Sequence, residues 1–325
     1  MKNGEPDISV IIPVKNEEST IEKCINSLLN LNYPPDLLEI IIINDASTDE
    51  TGKILDKFKN RITLFKTPGL GPSEARNLGL EHARGDYVAF TDADCLVDRE
   101  WINQLLPGFQ SEKVAGVGGD QKTPIDETYF GRMVMDFFKS LGFLEGYTKS
   151  ARISQIQEVD HNPSCNVIYR KIIIKNIGGF HPGLWPGEDV DLDYRLKKIG
   201  YKLNYSPTAI VYHYQPSHLI AFSRKIALYG KWSGGFLTRK YGFFRRLSFE
   251  PVLLACSFFL VIAAFLLFPP LGYPLLAIGL FFPLVFLLFQ TRELKKASIL
   301  WLLLLTTIIF WNLGFLRGWN AKIHS

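Results

Sequence analysis

Several common ligand-binding signatures are missing from this sequence. No GxxxxGK[ST] loop is present, which argues against a P-loop nucleotidase, and no GxGxxG follows the first apolar run, which argues against a dinucleotide enzyme. The four cysteines, Cys24, Cys95, Cys165 and Cys256, form no CxxC pair or other ligand spacing. We therefore expect free thiols in a reducing compartment, with neither a disulfide framework nor a zinc site.

Charged residues become scarce towards the C-terminus. The net charge of +4 and the hydrophobic content of 47% average over two unlike parts, because Leu, Phe, Ile and Ala dominate only after about residue 250. Three uncharged segments, Pro251–Pro269, Leu271–Phe289 and Ser298–Leu316, each approach the roughly 20 apolar residues that cross a bilayer. We predict three transmembrane helices. A buried core hairpin is the alternative, but a soluble domain would have to cover all three helices on every side.

Basic residues near these segments predict how the chain meets the membrane. The loop 290–296 carries three Lys or Arg residues, so the positive-inside tendency places it in the cytosol with the N-terminal domain. The C-terminus then lies outside, where the basic residues Arg317 and Lys322 argue mildly against this topology. Ser217–Phe249 holds seven Lys or Arg residues and no acid, interleaved with apolar residues. This pattern indicates amphipathic helices on an anionic membrane surface, with a solvated basic face as the alternative. Nucleic acid is not expected as a partner, because no recognised binding motif accompanies the charge.

The N-terminal part alternates apolar runs with helical patterns. We predict strands at Ile8–Val14, Leu38–Ile43, Ile62–Phe65 and Tyr87–Thr91, and helices at Glu18–Asn30 and Ser73–Ala83. Such alternation is typical of a mostly parallel sheet covered on both faces, whose ligands bind at the carboxyl ends of its strands. Polar residues follow three of the predicted strands, namely Asn16 and Glu17, Asn44 and Asp45, and Asp92 and Asp94. The sequence thus predicts a binding site along this edge.

The segment Asp92-Ala93-Asp94 places two carboxylates one residue apart after a buried strand. Two close carboxylates resist ionising together unless a cation lies beside them. Mg²⁺ and Mn²⁺ bind carboxylate oxygen and usually keep substrate phosphates among their other ligands. We interpret the segment as a metal site for a phosphorylated substrate; a turn or helix cap is the alternative.

Two further segments carry residues suited to phosphate and acceptor chemistry. Arg76, in GLGPSEARN at a predicted helix start, suits a diphosphate by charge and bidentate hydrogen bonding, with a plain surface Arg as the alternative. In GLWPGEDVDLDYRL, Glu188 and Asp189 fall in the first turn of a helix, where acids interact well with the helix dipole. A carboxylate beside this loop also suits general-base catalysis, and the spacing leaves both interpretations open.

Six segments together resemble family 2 glycosyltransferases of the GT-A fold. They occur in the family's order and at its approximate spacing within residues 7–215: VIIPVKNEE, EIIIINDASTD, GPSEARNLGL, YVAFTDADC, GGFHPGLWPGEDVDLDYRLKKIGY and YSPTAIVYH. The resemblance implies an α/β GT-A domain over 1–215, Rossmann-like with a mostly parallel sheet. We place basic interfacial helices at 216–249 and a membrane domain with three transmembrane helices at 250–325. The implied activity is inverting transfer of a sugar from a UDP- or GDP-linked donor by a metal-dependent hexosyltransferase.

The resemblance also implies roles for residues that face the donor. Asp94 would ligate Mg²⁺ or Mn²⁺, and Asp92 would contact the ribose, the metal or its water shell. Asp45 would hydrogen-bond the base, and Arg76 would approach the base or the diphosphate. His213 would be an additional metal ligand, with a plain strand-end histidine as the alternative. The remaining nucleotide-pocket residues would be Pro13, Val14, Glu17 and Ala93.

On the acceptor side, the resemblance implies that Asp189 deprotonates a hydroxyl and that Glu188 positions it or the acceptor. Cys165 and Asn166 lie where the family often contacts the donor sugar or the acceptor. Anomeric configuration would invert because the transfer is a single displacement.

The sequence also departs from the family pattern. Family members often have two acids where this chain has Asn44 and Asp45, so only Asp45 is assigned a role. No QxxRW occurs, and three spans give little room for a polymer channel, so we expect addition of one sugar to a lipid-linked glycan at the cytosolic face of the cell membrane. A polyprenyl-phosphate monosaccharide synthase and a non-catalytic membrane scaffold are the alternatives. We also expect self-association, since so few spans often associate.

Overall fold

The computed structural model describes residues 7–140, 154–241 and 269–322, together with positions 256, 263, 266 and 267. The described chain divides into two compact units. The first unit contains residues 7–126 and 154–214, and the second contains residues 127–140, 215–241 and 269–322. Residues 127–140 thus pack with the C-terminal part of the chain, which their position in the sequence does not indicate.

A single sheet organises the first unit. Its strands in chain order are β1 (Ile8–Val14), β2 (Leu38–Asp45), β3 (Thr63–Thr67), β4 (Tyr87–Phe90), β5 (Cys95–Val97), β6 (Val114–Lys122), β7 (Gln157–Val159), β8 (Val167–Arg170) and β9 (Lys202–His213). Their order across the sheet is β3-β2-β1-β4-β8-β6-β9-β5, with β7 also paired to β9. The four predicted strands run parallel, whereas β8 lies antiparallel between β4 and β6. The predicted mostly parallel sheet is therefore a mixed one.

Eleven helices are described in the two units together. In chain order they are α1 (Ile21–Leu29), α2 (Thr51–Asp56), α3 (Pro72–His82), α4 (Trp101–Leu105), α5 (Tyr129–Ser140), α6 (Lys171–Asn176), α7 (Glu188–Lys198), α8 (Leu219–Tyr229), α9 (Leu237–Tyr241), α10 (Pro269–Thr291) and α11 (Leu294–Trp319). Short 3₁₀ turns lie at Pro35–Leu37 and Leu106–Gly108, and a π-helix spans Gly230–Phe236.

The near-continuous apolar sequence of β1 and β2 reflects burial on both faces of the sheet. In β1, Val10 and Ile12 pack into a core with Ile25 of α1, whereas Ile11 packs into the opposite core with Ala75 of α3. Successive side chains of a strand point to opposite faces, so a strand covered on both sides needs apolar residues throughout. This burial fixes the strands whose ends carry the polar residues.

Strand pairing then brings the polar residues to one edge. Val14 of β1 lies in register with Asn44 of β2, and β4 runs parallel to β1 on its other side. Glu17, Asp45 and Asp92 therefore follow or end three adjacent parallel strands, as the sequence predicts. The antiparallel β5–β9 pair adds His213 to the same region, in register with Cys95.

The second unit is helical among its described residues. Of these helices, only α11 is long and apolar enough by length and composition to cross a membrane. The predicted span Ser298–Leu316 lies within α11. The span Leu271–Phe289 lies within α10, whose side chains are described mainly from Phe281 onward, and Pro251–Pro269 lies almost entirely outside the described residues. Three spans therefore stay a prediction.

Glycines let two helical segments of the second unit touch backbone to backbone. A Cβ built on Gly318 of α11 would meet the carbonyl oxygen of Lys231 at 1.7 Å, and one built on Gly314 would meet that of Ala227 at 2.1 Å. From the other side, a Cβ on Gly235 would meet the Phe315 carbonyl oxygen at 2.3 Å. Because backbone carbonyls cannot move aside as flexible side chains do, these positions exclude any larger residue.

We expect Gly318→Ala to destabilise this unit by at least about 3 kcal/mol, the upper end of the usual overpacking penalty, since the new methyl overlaps backbone. Gly234→Ala is the matched control. Its Cβ would meet only side-chain atoms of Phe315 and Trp311, none nearer than 3.3 Å, so we expect a loss of roughly 1 kcal/mol or less. Thermal unfolding of both variants in detergent tests this; equal midpoints would contradict the packing described.

Candidate active site

A pocket of about 480 Å³ opens at the carboxyl ends of β1, β2 and β4. Eight of its lining residues are those predicted to face a nucleotide or metal, namely Pro13, Val14, Glu17, Asp45, Arg76, Asp92, Ala93 and Asp94. The remaining lining residues are Lys15, Gly69, Leu70, Gly71, Pro72 and Trp185. Sequence reasoning did not assign any of this second group, although the Gly-Leu-Gly-Pro run before Arg76 was a usable signal.

Asp45 holds the loop that forms one wall of the pocket. Its Oδ1 accepts hydrogen bonds from Thr67 Oγ1 (2.5 Å) and Leu70 N (2.6 Å), and its Oδ2 accepts one from Gly71 N (2.9 Å). Burial opposes the charged form, but these hydrogen bonds outweigh it and lower the pKa of Asp45. A carboxylate offers about four lone-pair sites, so roughly one stays available for a ligand.

The ionised Asp45 should therefore stabilise the fold. We expect Asp45→Asn to lower the free energy of unfolding by about 1.5–3 kcal/mol at neutral pH, since Asp45 accepts hydrogen bonds as a charged group. The native pKa is depressed, so this contribution is present above the unfolded-state value of about 4 and is lost as pH falls through the native value. The difference in free energy of unfolding between wild type and Asp45→Asn should therefore shrink at acidic pH. The control Asp86→Asn, at an exposed position, should differ little from wild type at any pH.

Three further carboxylates of the pocket lie close together, namely Glu17, Asp92 and Asp94. Burial of Glu17, together with the nearby charges of Asp94 and Asp92, raises the pKa of Glu17 to about 7. The side chains of Asp92 and Asp94 are 29% and 31% exposed, so their oxygens are open to the pocket. Oxygen donors that repel one another and face a cavity suit a hard divalent cation, and this donor set therefore fits the predicted metal.

His213 lies against the second of these aspartates. Its Nε2 is 3.3 Å from Asp94 Oδ2, and its Nδ1 is 2.8 Å from Gln121 Oε1. Burial lowers the pKa of His213, but the charge of Asp94 and hydrogen bonds to Asp94 and Cys165 together outweigh burial and raise the pKa to about 10. The structure thus places the predicted histidine beside the predicted metal-binding carboxylate, although His213 does not itself line the pocket.

Arg76 bridges two of the predicted carboxylates. Its Nη2 donates to Asp92 Oδ1 (2.6 Å) and its Nη1 donates to Glu188 Oε1 (2.8 Å), with the Arg76 side chain only 2% exposed. This guanidinium supplies much of the positive charge beside Asp92. The sequence placed Arg76 near a base or diphosphate, but its outer nitrogens are already used within the protein.

Glu188 and Asp189 begin α7 and are both buried. Asp189 Oδ2 accepts from Ser164 N (3.1 Å) and its Oδ1 accepts from Val190 N (2.8 Å). Glu188 Oε1 also accepts from Ser164 Oγ, whereas Glu188 Oε2 has no hydrogen-bond partner within the described ranges. Burial and the charge of Asp189 raise the pKa of Glu188 to about 8, against the opposing effect of Arg76. Neither acid lines the pocket.

The side chain of Asn166 connects several elements of the first unit by hydrogen bonds. Its Oδ1 accepts from Trp101 Nε1 (2.7 Å), and its Nδ2 donates to the carbonyl oxygens of Asp120 (2.7 Å) and Ala209 (2.9 Å). The side chain is fully buried. These contacts connect α4, β6, β9 and the segment before β8, so the described contacts of Asn166 are structural, whereas the resemblance implied a position at the donor sugar or the acceptor.

The sequence matches a known family. Residues 9–178, just over half of the chain, match the model of glycosyl transferase family 2. The chain belongs to this family. Over 222 residues it is 30% identical to the probable glycosyltransferase YdaM of Bacillus subtilis, covering 65% of this chain and 51% of YdaM. It is 27% identical over 217 residues to glycosyltransferase AglE of Haloferax volcanii, covering 66% and 68% of the two chains. This family 2 chain thus spans about half the length of the first of these relatives.

Solved structures share the fold of this family 2 chain. The mannosyltransferase PcManGT of Pyrobaculum calidifontis, solved with GDP-Man and Mn²⁺, superposes with a TM-score of 0.64 at 19% identity, covering 98% of this chain and 89% of PcManGT. Residues 1–349 of Staphylococcus aureus TarS, solved with UDP-GlcNAc, give 0.53 at 19% identity, covering 95% and 90%. The fold is therefore the mixed α/β, Rossmann-like GT-A fold.

Proposed function

We propose that this chain transfers one sugar, as a metal-dependent hexosyltransferase, from a UDP- or GDP-linked donor to a lipid-linked glycan. The observation that carries the proposal is the pocket of a family 2 chain in which Glu17, Asp45, Asp92 and Asp94 meet at three adjacent strand ends. Relatives of the same fold have been solved with GDP-Man and with UDP-GlcNAc, which supports a nucleotide-sugar donor.

The charge of the pocket supports a divalent cation. Its lining contains four acids, Glu17, Asp45, Asp92 and Asp94, but only two cationic residues, Lys15 and Arg76, and Arg76 is occupied by Asp92 and Glu188. A pyrophosphate would meet net repulsion there unless a cation accompanied it. Asp94, with Asp92 and His213, would hold Mg²⁺ or Mn²⁺, which when bound would neutralise charge on the departing diphosphate. PcManGT was solved with Mn²⁺, which supports this choice of ion.

On the donor side, the strand ends would position the nucleotide. Pro13, Val14 and Ala93 line the pocket beside Asp45, whose remaining lone-pair site would accept a hydrogen bond from the base. The loop carrying Leu70 and Gly71 is fixed by the same carboxylate. Asp45 would thereby couple base binding to the shape of the pocket wall.

On the acceptor side, we assign Asp189 as the base and Glu188 as the residue that positions it or the acceptor. Asp189 would take the proton of the attacking hydroxyl at one of its carboxylate oxygens while the hydroxyl oxygen attacks the anomeric carbon opposite the diphosphate. A single displacement of this kind inverts the anomeric configuration. Ser164 N, which donates to Asp189, would hold the carboxylate in place.

Exposed apolar side chains in the second unit support the proposal that the acceptor lies at a membrane. Large apolar side chains of α10 and α11 are exposed, among them Phe281, Phe282, Phe286, Phe289, Ile309, Leu313 and Leu316. Exposed apolar surface of this extent marks contact with lipid or another protein. We propose that α10, α11 and the segment 251–269 span the membrane, that Ser217–Phe249 lies at its cytosolic surface, and that copies of the chain associate there.

Isothermal titration of the full chain with UDP and with GDP, each with and without Mn²⁺, tests the donor assignment. We expect one nucleotide to bind, and to bind more tightly with Mn²⁺. Absence of metal-dependent binding to either nucleotide would favour the non-catalytic scaffold instead. Mass spectrometry of lipid-linked glycans from cells with and without the protein then tests the acceptor: loss of a polyprenyl-phosphate monosaccharide, with no change in longer glycans, would favour the monosaccharide synthase.

A further inference from the structure

Three potential metal ligands, two thiols and one imidazole, lie together beside Asp94. Cys95, Cys165 and His213 are buried, and one potential ligand atom from each lies within 4.8 Å of the others. Cys95 and His213 face each other across the β5–β9 pair, and Cys165 precedes β8. Because the three residues are far apart in the chain, no sequence spacing reveals the cluster.

The geometry of the cluster suits tetrahedral coordination. A Zn–S bond of about 2.3 Å places two sulfurs of a tetrahedral site roughly 3.8 Å apart, so side-chain adjustments of about an ångström would close the site. Gln121 Oε1 can only accept, so His213 Nδ1 donates to it. Nε2, which faces Asp94, is then the nitrogen that would bind a metal, with release of its proton. Fixing the second ring nitrogen in this way is a regular feature of histidine ligands in proteins.

The fourth position of the cluster faces Asp94. Cys95 Sγ lies 3.8 Å from Asp94 Oδ1, and His213 Nε2 lies 3.3 Å from Asp94 Oδ2. The Asp94 side chain is 31% exposed and lines the pocket, so an ion can enter from that side. Two sulfurs and one imidazole nitrogen select a soft or borderline cation, whereas Asp92 and Asp94 alone favour a hard one.

We propose that Cys95, Cys165 and His213 form a second metal site, selective for a thiophilic divalent cation such as Zn²⁺ or Cd²⁺. Since His213 and Asp94 would serve both sites, the thiophilic ion competes with Mg²⁺ or Mn²⁺ at the donor site. The competition rests on the proposed function, but the binding of the thiophilic ion does not.

Titration of the full-length, reduced protein with Co²⁺ tests the binding. We expect thiolate-to-cobalt charge-transfer absorption with the intense visible bands of tetrahedral cobalt, and loss of both when Zn²⁺ is added. Cys165→Ser and Cys95→Ser should each remove at least about half of the charge-transfer absorption, because each leaves one thiolate, whereas Cys24→Ser, a buried control, and Cys256→Ser, an exposed one, should keep all of it. Absence of these bands in the folded wild type, or their undiminished intensity in both cluster variants, would overturn the site.

Gln121→Ala provides a variant that leaves all three ligands in place. Loss of the partner that orients a ligating histidine costs about 10–100-fold in metal affinity, so Zn²⁺ should bind the variant that much more weakly in a chelator competition. Unchanged affinity would show that His213 is not a ligand.

The competition has its own measurement. In wild type, Zn²⁺ should weaken Mn²⁺-dependent nucleotide binding, and Cys165→Ser should remove most of that effect. Equal inhibition of both proteins would place Zn²⁺ at Asp92 and Asp94 alone and refute the shared ligands. If no nucleotide binds under any condition, the donor assignment fails while the Co²⁺ spectrum still decides the site.

Discussion

Asp94→Asn should abolish Mn²⁺-dependent sugar transfer and donor hydrolysis, with a loss of at least roughly 100-fold in kcat/KM. The carboxylate follows β4, lines the pocket and lies 3.3 Å from His213 Nε2, so it is the oxygen donor that both the cavity and the histidine face. Stabilisation of diphosphate charge by a metal is worth several kcal/mol, and each 1.4 kcal/mol corresponds to about tenfold in rate. The amide keeps the shape of the side chain and removes the charge.

The measurement needs both a binding and a rate readout. Nucleotide titration with and without Mn²⁺ should show that the variant loses the gain in nucleotide affinity that the ion provides. Its weaker affinity for nucleotide without metal should be kept. Glu112→Gln is the matched control, because it neutralises a carboxylate whose side chain is 91% exposed and does not line the pocket. Wild-type turnover by a folded Asp94→Asn protein would remove Asp94 from the metal site.

Much of the parallel half of the sheet could be predicted from sequence because β1, β2 and β4 are largely apolar on both faces, whereas β3 is only partly buried. β1 is rich in Ile and Val and β2 contains four consecutive Ile residues, a pattern typical of strands buried in a parallel sheet. β6 gave no such signal, since Gly116, Gly118 and Gly119 interrupt it. In the fold these glycines allow close approach: a Cβ on Gly116 would overlap the Tyr169 ring, and one on Gly119 would overlap the Ala209 carbonyl oxygen.

The candidate site was predictable where residues follow a strand end, and less so where tertiary contacts decide. Asp45, Asp92 and Asp94 reach the pocket because the strand register brings them there. One of the two ion pairs of Arg76 is with Glu188, which is distant in the chain. No local sequence pattern predicts that one guanidinium will pair with two acids. Ser164 contacts both Glu188 and Asp189 from a loop that carries no strand or helix pattern of its own.

Asp189→Asn should retain nucleotide binding and lose transfer to a hydroxyl acceptor by about 10²–10⁴-fold, the usual contribution of a general base. The amide oxygen can accept from Ser164 N or from Val190 N but not from both, so circular dichroism should first confirm that the variant is folded. Because Asp189 does not line the pocket proposed to bind the donor, the affinity for the nucleotide should stay within about twofold of wild type, a difference below roughly 0.5 kcal/mol. Transfer and binding are therefore separable in this variant, unlike in Asp94→Asn.

The size of the loss of transfer activity in Asp189→Asn also distinguishes a hydroxyl acceptor from a phosphate acceptor. An acceptor phosphate is already ionised at neutral pH and needs no base, so a small effect of Asp189→Asn on the native acceptor would favour the polyprenyl-phosphate reaction over extension of a glycan. Glu188→Gln serves as the comparison, because Glu188 is tied to Arg76 and Ser164 and is assigned a positioning role. A greater loss of transfer in Glu188→Gln than in Asp189→Asn, with both variants folded and binding nucleotide, would reverse the two roles, and the buried Glu188 Oε2 would become the proton acceptor.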